Sequence, residues 1–198
     1  MKNVTVWRNL AGGFLFVFAI SIMSCGDAAN NQDATDNDTT TATMQQHAEA
    51  VLTSTYQDTT VTGVVQFDEQ PNGQVKMTLN VTVPSHAGKT VAVHIHENGN
   101  CGNMGKDVGE HWNPTHAQHG KWSTDSFHLG DIGNIDLNNE GNGSKEMETD
   151  RWTIGGDSQT DILNKTIIIH SGKDDFTTQP SGAAGNRIGC GVITKKSS

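Results

Sequence analysis

The sequence predicts an all-β domain, a sandwich or barrel of about eight short strands interrupted by two long loops. Three observations carry this expectation. Apolar residues alternate with polar ones at the period of two that strands show. The chain of 198 residues holds 22 glycines, which suits many tight turns rather than long helices. No stretch reads convincingly as a helix.

The clearest strand is 75–83, where Val75, Met77, Leu79, Val81 and Val83 alternate with Lys76, Thr78, Asn80 and Thr82. One face of such a segment is buried and the other wet. Residues 60–67 form the preceding strand, joined to it through Pro71-Asn72-Gly73, a hairpin signal. Further strands are expected at 48–55, 90–96, 133–138, 145–152, 165–170 and 187–194. Asn139-Glu140-Gly141-Asn142-Gly143 reads as the turn of a third hairpin. Residues 97–132 and 171–186 break the rhythm, and loops this long in a compact domain usually carry function.

The N-terminus reads as a targeting segment. Lys2 and Arg8 precede an apolar run over 10–22 that is short for a bilayer span and suits a signal peptide. The run ends in Ile22-Met23-Ser24-Cys25, which looks like a bacterial lipoprotein cleavage box with lipid attachment at Cys25. An ordinary secretory signal with an incidental cysteine is the alternative. The expected organisation is therefore a signal peptide at 1–24, a lipid-attached Cys25 with a disordered polar linker over 25–46, and a folded domain at 47–198. About 150 residues suffice for a core. With Cys25 lipidated, Cys101 and Cys190 remain as a pair, and an exported compartment permits a disulfide. The formal net charge of -9 argues against a nucleic-acid partner.

Six of the nine histidines and one aspartate fall into a metal-binding pattern. His94 and His96 lie two apart on a strand, so their imidazoles share a face. Alone, this is a weak signal, because two polar residues on a wet strand face look the same. The following loop supplies His111, His119, His128 and Asp131, three imidazoles and a carboxylate suited to a closed tetrahedral zinc site. A polar histidine-rich surface loop is the bland reading, but it does not account easily for this density. His170 ends the apolar run Ile167-Ile168-Ile169 and by itself reads as a core histidine. His116, His47 and His86 are expected at the surface.

From about Ala48 to the C-terminus the chain resembles the copper/zinc superoxide dismutase family. The resemblance rests on His94-Ile-His-Glu97, Gly109-Glu-His-Trp-Asn-Pro114, Gln118-His-Gly120, Phe127-His-Leu-Gly-Asp-Ile-Gly-Asn134, His170-Ser-Gly-Lys-Asp174 and Gly185-Asn-Arg-Ile-Gly-Cys-Gly-Val-Ile193. It implies an eight-stranded Greek-key β-sandwich or barrel with Cu(2+) and Zn(2+) as cofactors. His94, His96, His111 and His170 match the copper ligands; His111, His119, His128 and Asp131 match the zinc ligands. Asp174 matches the carboxylate that orients both sets, and Arg187 the arginine at the mouth of the copper channel. Cys101 and Cys190 match the disulfide that pins the zinc loop to the last strand. Where family members usually carry a His-Gly pair before the first copper histidine, this chain has Val91-Ala92.

The implied activity is disproportionation of the superoxide anion to dioxygen and hydrogen peroxide by alternating Cu(II)/Cu(I). His111, held by zinc, would bridge the two ions and join Arg187 as a catalytic residue. Since superoxide is an anion and the chain is acidic, attraction must come from a local positive field. The implied setting is the bacterial cell envelope, periplasm or outer surface, with protection against oxidative stress, a lipid anchor in the membrane and a possible homodimer. A non-enzymatic envelope copper/zinc binder on the same fold is the alternative, and an adhesion-type β-sandwich with incidental histidines a second.

Overall fold

The computed structural model describes residues 45–197. The expected signal peptide, Cys25 and all but the last two residues of the expected linker lie outside them. The strands are β1 (His47–Ser54), β2 (Thr62–Glu69), β3 (Val75–Thr82), β4 (Thr90–His96), β5 (Gly133–Asp136), β6 (Asn142–Thr149), β7 (Thr166–His170), β8 (Arg187–Val192) and the short β9 (Thr194–Lys195). All pair antiparallel in the order β5-β4-β7-β8-β1-β2-β3-β6, with β9 beside β1. Neighbours that are distant in sequence, such as β3 with β6 and β4 with β7, give the Greek-key crossings. The two end strands approach each other and nearly close the barrel. Lys145 Nζ of β6 donates to the Asn134 carbonyl of β5 at 3.2 Å.

Side-chain alternation decides what fills the barrel. In β3, Val75, Met77, Leu79 and Val81 are buried while the residues between them face outward. In β4, Val91, Val93 and Ile95 enter the core. His94 and His96 therefore project from the opposite face, where the long loops cover them. The same division operates in β7. Ile167 and Ile169 join the main core, whereas Ile168 packs with Val108 and Cys190 in a small second cluster beneath the first loop.

That first loop, 97–132, completes the free edge of β4. Ile95 N–H donates to Gly130 O at 2.9 Å, and Trp112 N–H donates to Ile95 O at 2.8 Å. Gly130 is needed here, because a Cβ at this position would collide with the Ile95 carbonyl. The loop is also tied covalently to β8 by the Cys101–Cys190 disulfide, which spans 89 residues of sequence. Disulfides of this kind form and persist in oxidising extracellular or periplasmic compartments.

The expected elements are found with three corrections. Residues 139–143 do form a turn, with Gly141 N–H donating to Asn138 O at 2.9 Å, but β5 and β6 do not continue as a paired hairpin. Each finds its ladder elsewhere, β5 on β4 and β6 on β3. The strand expected at 145–152 runs earlier, over Asn142–Thr149. Trp152 lies beyond it, in the core, where its indole N–H donates to Leu129 O at 3.0 Å. The last strand breaks at Ile193, whose N–H turns to Lys165 O at 2.9 Å. The loops at 97–132 and 171–186 keep their expected limits. Two short helical turns, Gly102–Gly105 and Lys106–Val108, sit in the first loop, with Asn103 and Met104 at positive φ inside the first.

Candidate metal centre

β4 contributes His94 and His96, which are 0% and 1% exposed. Its neighbour β7 ends at His170, where a register irregularity between Ile169 and His170 sets His170 opposite Arg187 of β8. Such bulges re-aim a side chain without disturbing the rest of the ladder. The first loop then folds His111 against His96 through an isolated antiparallel bridge and brings in His119, His128 and Asp131.

These residues form two buried sets. In one, ligating atoms of His94, His96, His111 and His170 lie within 4.8 Å of one another; in the other, those of His111, His119, His128 and Asp131 do. His111 belongs to both. The rings of His94 and His111 approach to 3.9 Å between centroids.

Every imidazole except that of His111 has one nitrogen held from behind. His94 Nε2 meets Asp174 Oδ2 at 2.8 Å, and His119 Nε2 meets Asp174 Oδ1 at 3.0 Å. His96 Nδ1 is held by Gly109 O at 3.0 Å, His170 Nδ1 by Gly185 O at 3.3 Å and His128 Nε2 by Ala117 O at 3.2 Å. His111 Nδ1 lies 2.8 Å from Asp131 Oδ1. The other nitrogen of each ring is buried and without a hydrogen-bond partner: Nδ1 of His94, His119 and His128, and Nε2 of His96, His111 and His170. His119 Nδ1 and His128 Nδ1 come within 3.0 and 3.3 Å of Asp131 Oδ1 without directing a hydrogen bond at it.

An unpaired buried polar atom costs about 1–3 kcal/mol, and six converging here make a metal-free function implausible for the site. Imidazole donors suit copper and zinc, and a set with one carboxylate suits zinc. The nitrogens held from behind are the outer hydrogen bonds that orient metal-ligating histidines. The donor set thus fits both metals.

The electrostatics agree. Burial pushes the His96 and His170 rings well below their ordinary range, aided by neighbouring histidines, so both are neutral. Burial also takes His111 down to about 4, against the pull of Asp131. At His119 the burial penalty is outweighed by the Asp131 and Asp174 carboxylates, which raise it to about 9. Burial would raise Asp131 and Asp174, but the surrounding imidazoles hold both well below the usual carboxylate range.

Arg187 is half-buried and anchored to three backbone carbonyls. Nη1 donates to Gly105 O at 2.9 Å and to Lys106 O at 3.3 Å; Nη2 donates to Gly109 O at 2.8 Å. His116 is exposed, as expected. His47 also lies at the surface, its side chain 37% exposed, with Nδ1 2.6 Å from Asp68 Oδ1.

Three further residues were not singled out in the sequence. Asn134 clasps Asp174 twice, accepting its N–H and donating to its carbonyl, both at 2.9 Å. Gln179 does the same for His119, at 3.0 and 2.9 Å. Gly182, at φ +66°, leaves room for Asp174 and His119; a Cβ there would overlap the carboxylate and stand 2.6 Å from His119 Nε2. A glycine in a glycine-rich loop and two amides carry no signal of their own until the loops are folded together.

A Greek-key barrel with two adjoining histidine-rich donor sets under its long loops defines a metalloprotein built for two ions. The sequence profile of the copper/zinc superoxide dismutase family matches residues 61–193. A Cu-Zn superoxide dismutase of Humicola lutea is 35% identical over 145 residues, covering 69% of this chain and 92% of that protein. The Cu-Zn enzyme of Schizosaccharomyces pombe is 34% identical over 143 residues, covering 69% and 91%. Among solved structures, that of the clock protein EA4 superposes with a TM-score of 0.65 at 27% identity, covering 75% of this chain and 93% of that one. The chain belongs to the copper/zinc superoxide dismutase family. It is an enzyme of that class, its cofactors are copper and zinc, and its substrate is superoxide.

Proposed function

We propose that His94, His96, His111 and His170 hold the copper, that His111, His119, His128 and Asp131 hold the zinc, and that His111 bridges the two. The observation that carries this is the convergence of buried, unpartnered ring nitrogens, four from His94, His96, His111 and His170 and two from His119 and His128, with the His111 ring a member of both donor sets through its Nδ1 beside Asp131. When bound, copper supplies one-electron redox chemistry and zinc a fixed charge without redox activity.

The chain's own residues do the rest. Asp174 orients His94 and His119 at once, so the two sets are positioned by one carboxylate. His111 offers Nδ1 to the Asp131 side and Nε2 to the side of His94, His96 and His170. Nε2 is the atom placed to hold one of the two protons that convert two superoxide anions to dioxygen and hydrogen peroxide. Arg187 supplies a fixed positive charge beside His96, in a fork suited to a small oxyanion. Its anchorage to three carbonyls supports a preset docking position.

The organisation we propose is a signal peptide at 1–24, lipid on Cys25, a tether over 25–46 and the enzyme domain at 47–198. It would protect the cell envelope as a lipid-anchored protein, with a homodimer as a possible assembly. The exported setting is supported by the Cys101–Cys190 disulfide.

Metal analysis with a dismutation assay on the purified protein tests the centre. Equimolar copper and zinc with rapid dismutation is expected; metal without turnover refutes the mechanism. In His111→Ala, both metals should bind more weakly. Loss of copper alone, with zinc affinity unchanged, rules out a shared ring. Membrane fractionation with lipid labelling tests the tether, and Cys25→Ser should release the protein.

A further inference from the structure

Outside the metal centre, three lysines converge on one cleft of about 400 Å³. Lys121 comes from the first long loop, Lys145 from β6 and Lys173 from the second long loop, and Trp122 and Phe176 stand among the lining residues. Ion pairs of lysine among the described residues are Lys76 with Glu146 and Lys196 with Glu49, so none of the three has a carboxylate partner there. The acid on the lining, Asp136, is engaged by the Thr90 hydroxyl at 2.6 Å. In a chain of net charge -9, this cleft has the opposite sign to the whole.

Lys145 is the informative member. It occupies an inward position of β6, between exposed Ser144 and Glu146. Its ammonium has three donors to satisfy, yet its hydrogen bond among the described residues is the one to Asn134 O at 3.2 Å. Burial lowers its pKa, the mark of a cation short of counter-charge. An inward lysine also discourages edge-to-edge strand pairing. That accounts for one lysine on β6, but not for two more arriving from separate loops.

Three ammonium groups from different directions act as point charges, which suits a doubly charged oxyanion better than a planar carboxylate. The volume exceeds that of a bare ion and falls within the range of small organic ligand sites. Trp122, packed edge-on to Trp152 at 5.4 Å between centroids, is a rigid wall.

We propose that this cleft binds a phosphate monoester carried on a flat ring, with Lys121, Lys145 and Lys173 taking the phosphate and Trp122 and Phe176 flanking the ring. The site is independent of the metal assignment. Calorimetric titration of the metal-loaded protein with phenyl phosphate at low salt tests it, with inorganic phosphate as comparison. Saturable binding is expected, tighter for phenyl phosphate by about threefold to tenfold, the gain from aromatic contact. Lys145→Met, which keeps side-chain bulk, and the surface double variant Lys121→Ala/Lys173→Ala should each weaken binding about tenfold. Lys195→Ala should bind as the parent does. The proposal is overturned by any of three results: no saturable heat, equal affinity for the two probes, or binding that survives both lysine variants but is lost in Arg187→Ala.

Discussion

Arg187 and His96 meet on one atom. The Gly109 carbonyl accepts Arg187 Nη2 at 2.8 Å and His96 Nδ1 at 3.0 Å. The guanidinium and one proposed copper ligand are therefore positioned by the same peptide group, and a shift of the first loop would move both. Gly109 sits at φ +77°, and a Cβ there would press on Glu97 and Asn98. The glycine lets the carbonyl turn toward both partners.

Arg187→Ala should slow dismutation strongly while both metals stay bound. Hydrogen bonds to a charged group are worth about 1.5–3 kcal/mol, so a loss of about 10- to 100-fold in kcat/KM is expected. Arg187→Lys should recover part of it, since charge remains but the fork is lost. Turnover unchanged at low salt would remove Arg187 from the mechanism.

Asp174→Asn should loosen both metal sets together, because each carboxylate oxygen holds a different histidine. Losing such an outer hydrogen bond typically weakens metal binding by about 10- to 100-fold. Competition with a zinc chelator measures the effect. Gly182→Ala should act in the same direction, by pushing a methyl group into Asp174 and His119. A variant that keeps parental zinc affinity while only its melting point falls would assign Gly182 a purely structural role.

Removing the disulfide by Cys101→Ser/Cys190→Ser should lower stability by up to about 4–5 kcal/mol, the chain-entropy value for a loop this long. The Cys101–Cys190 bond also holds the first loop over the second cluster of Val108 and Ile168. The readout is the urea midpoint with and without reductant. Reductant should destabilise the parent and leave the double variant unaffected.

Metal-free protein should be most stable near pH 6.5. The pKa values of His96, His111 and His170 are depressed in the fold, so their contribution is full above 6.5 and is lost as pH falls toward the folded values, about 4 for His111. Asp131 and Asp174 are also depressed, and their contribution is lost at still lower pH, below the ordinary carboxylate range. His119 is raised to about 9, so its contribution is full below 6.5 and is lost as pH rises through 9. Urea midpoints across pH 5–10 check this, and a metal-free protein that gained stability from pH 7 to pH 9 would contradict it.

Several features were open to a reader of the chain alone. The alternation in 75–83 and the lone turn signals located the strands, because a half-buried strand must alternate whatever packs on it. The spacing of His94 and His96 placed both rings on one face. What failed was strand pairing: the turn at 139–143 looked like a hairpin, yet β5 and β6 each pair with a strand far away in sequence. A turn specifies a reversal locally but not which edge each arm will find.

The amino-acid sequence by itself determined which side chains can bind metal and which face each strand buries. These follow from residue chemistry and the local geometry of the backbone. Only the tertiary structure decided that Asn134 clasps Asp174, that Gln179 clasps His119 and that Arg187 shares a carbonyl with His96. It alone gathered three lysines into one cleft. Each of those contacts joins segments separated by tens of residues. Their meeting depends on the closure of the barrel and the docking of both loops, and no local pattern encodes it.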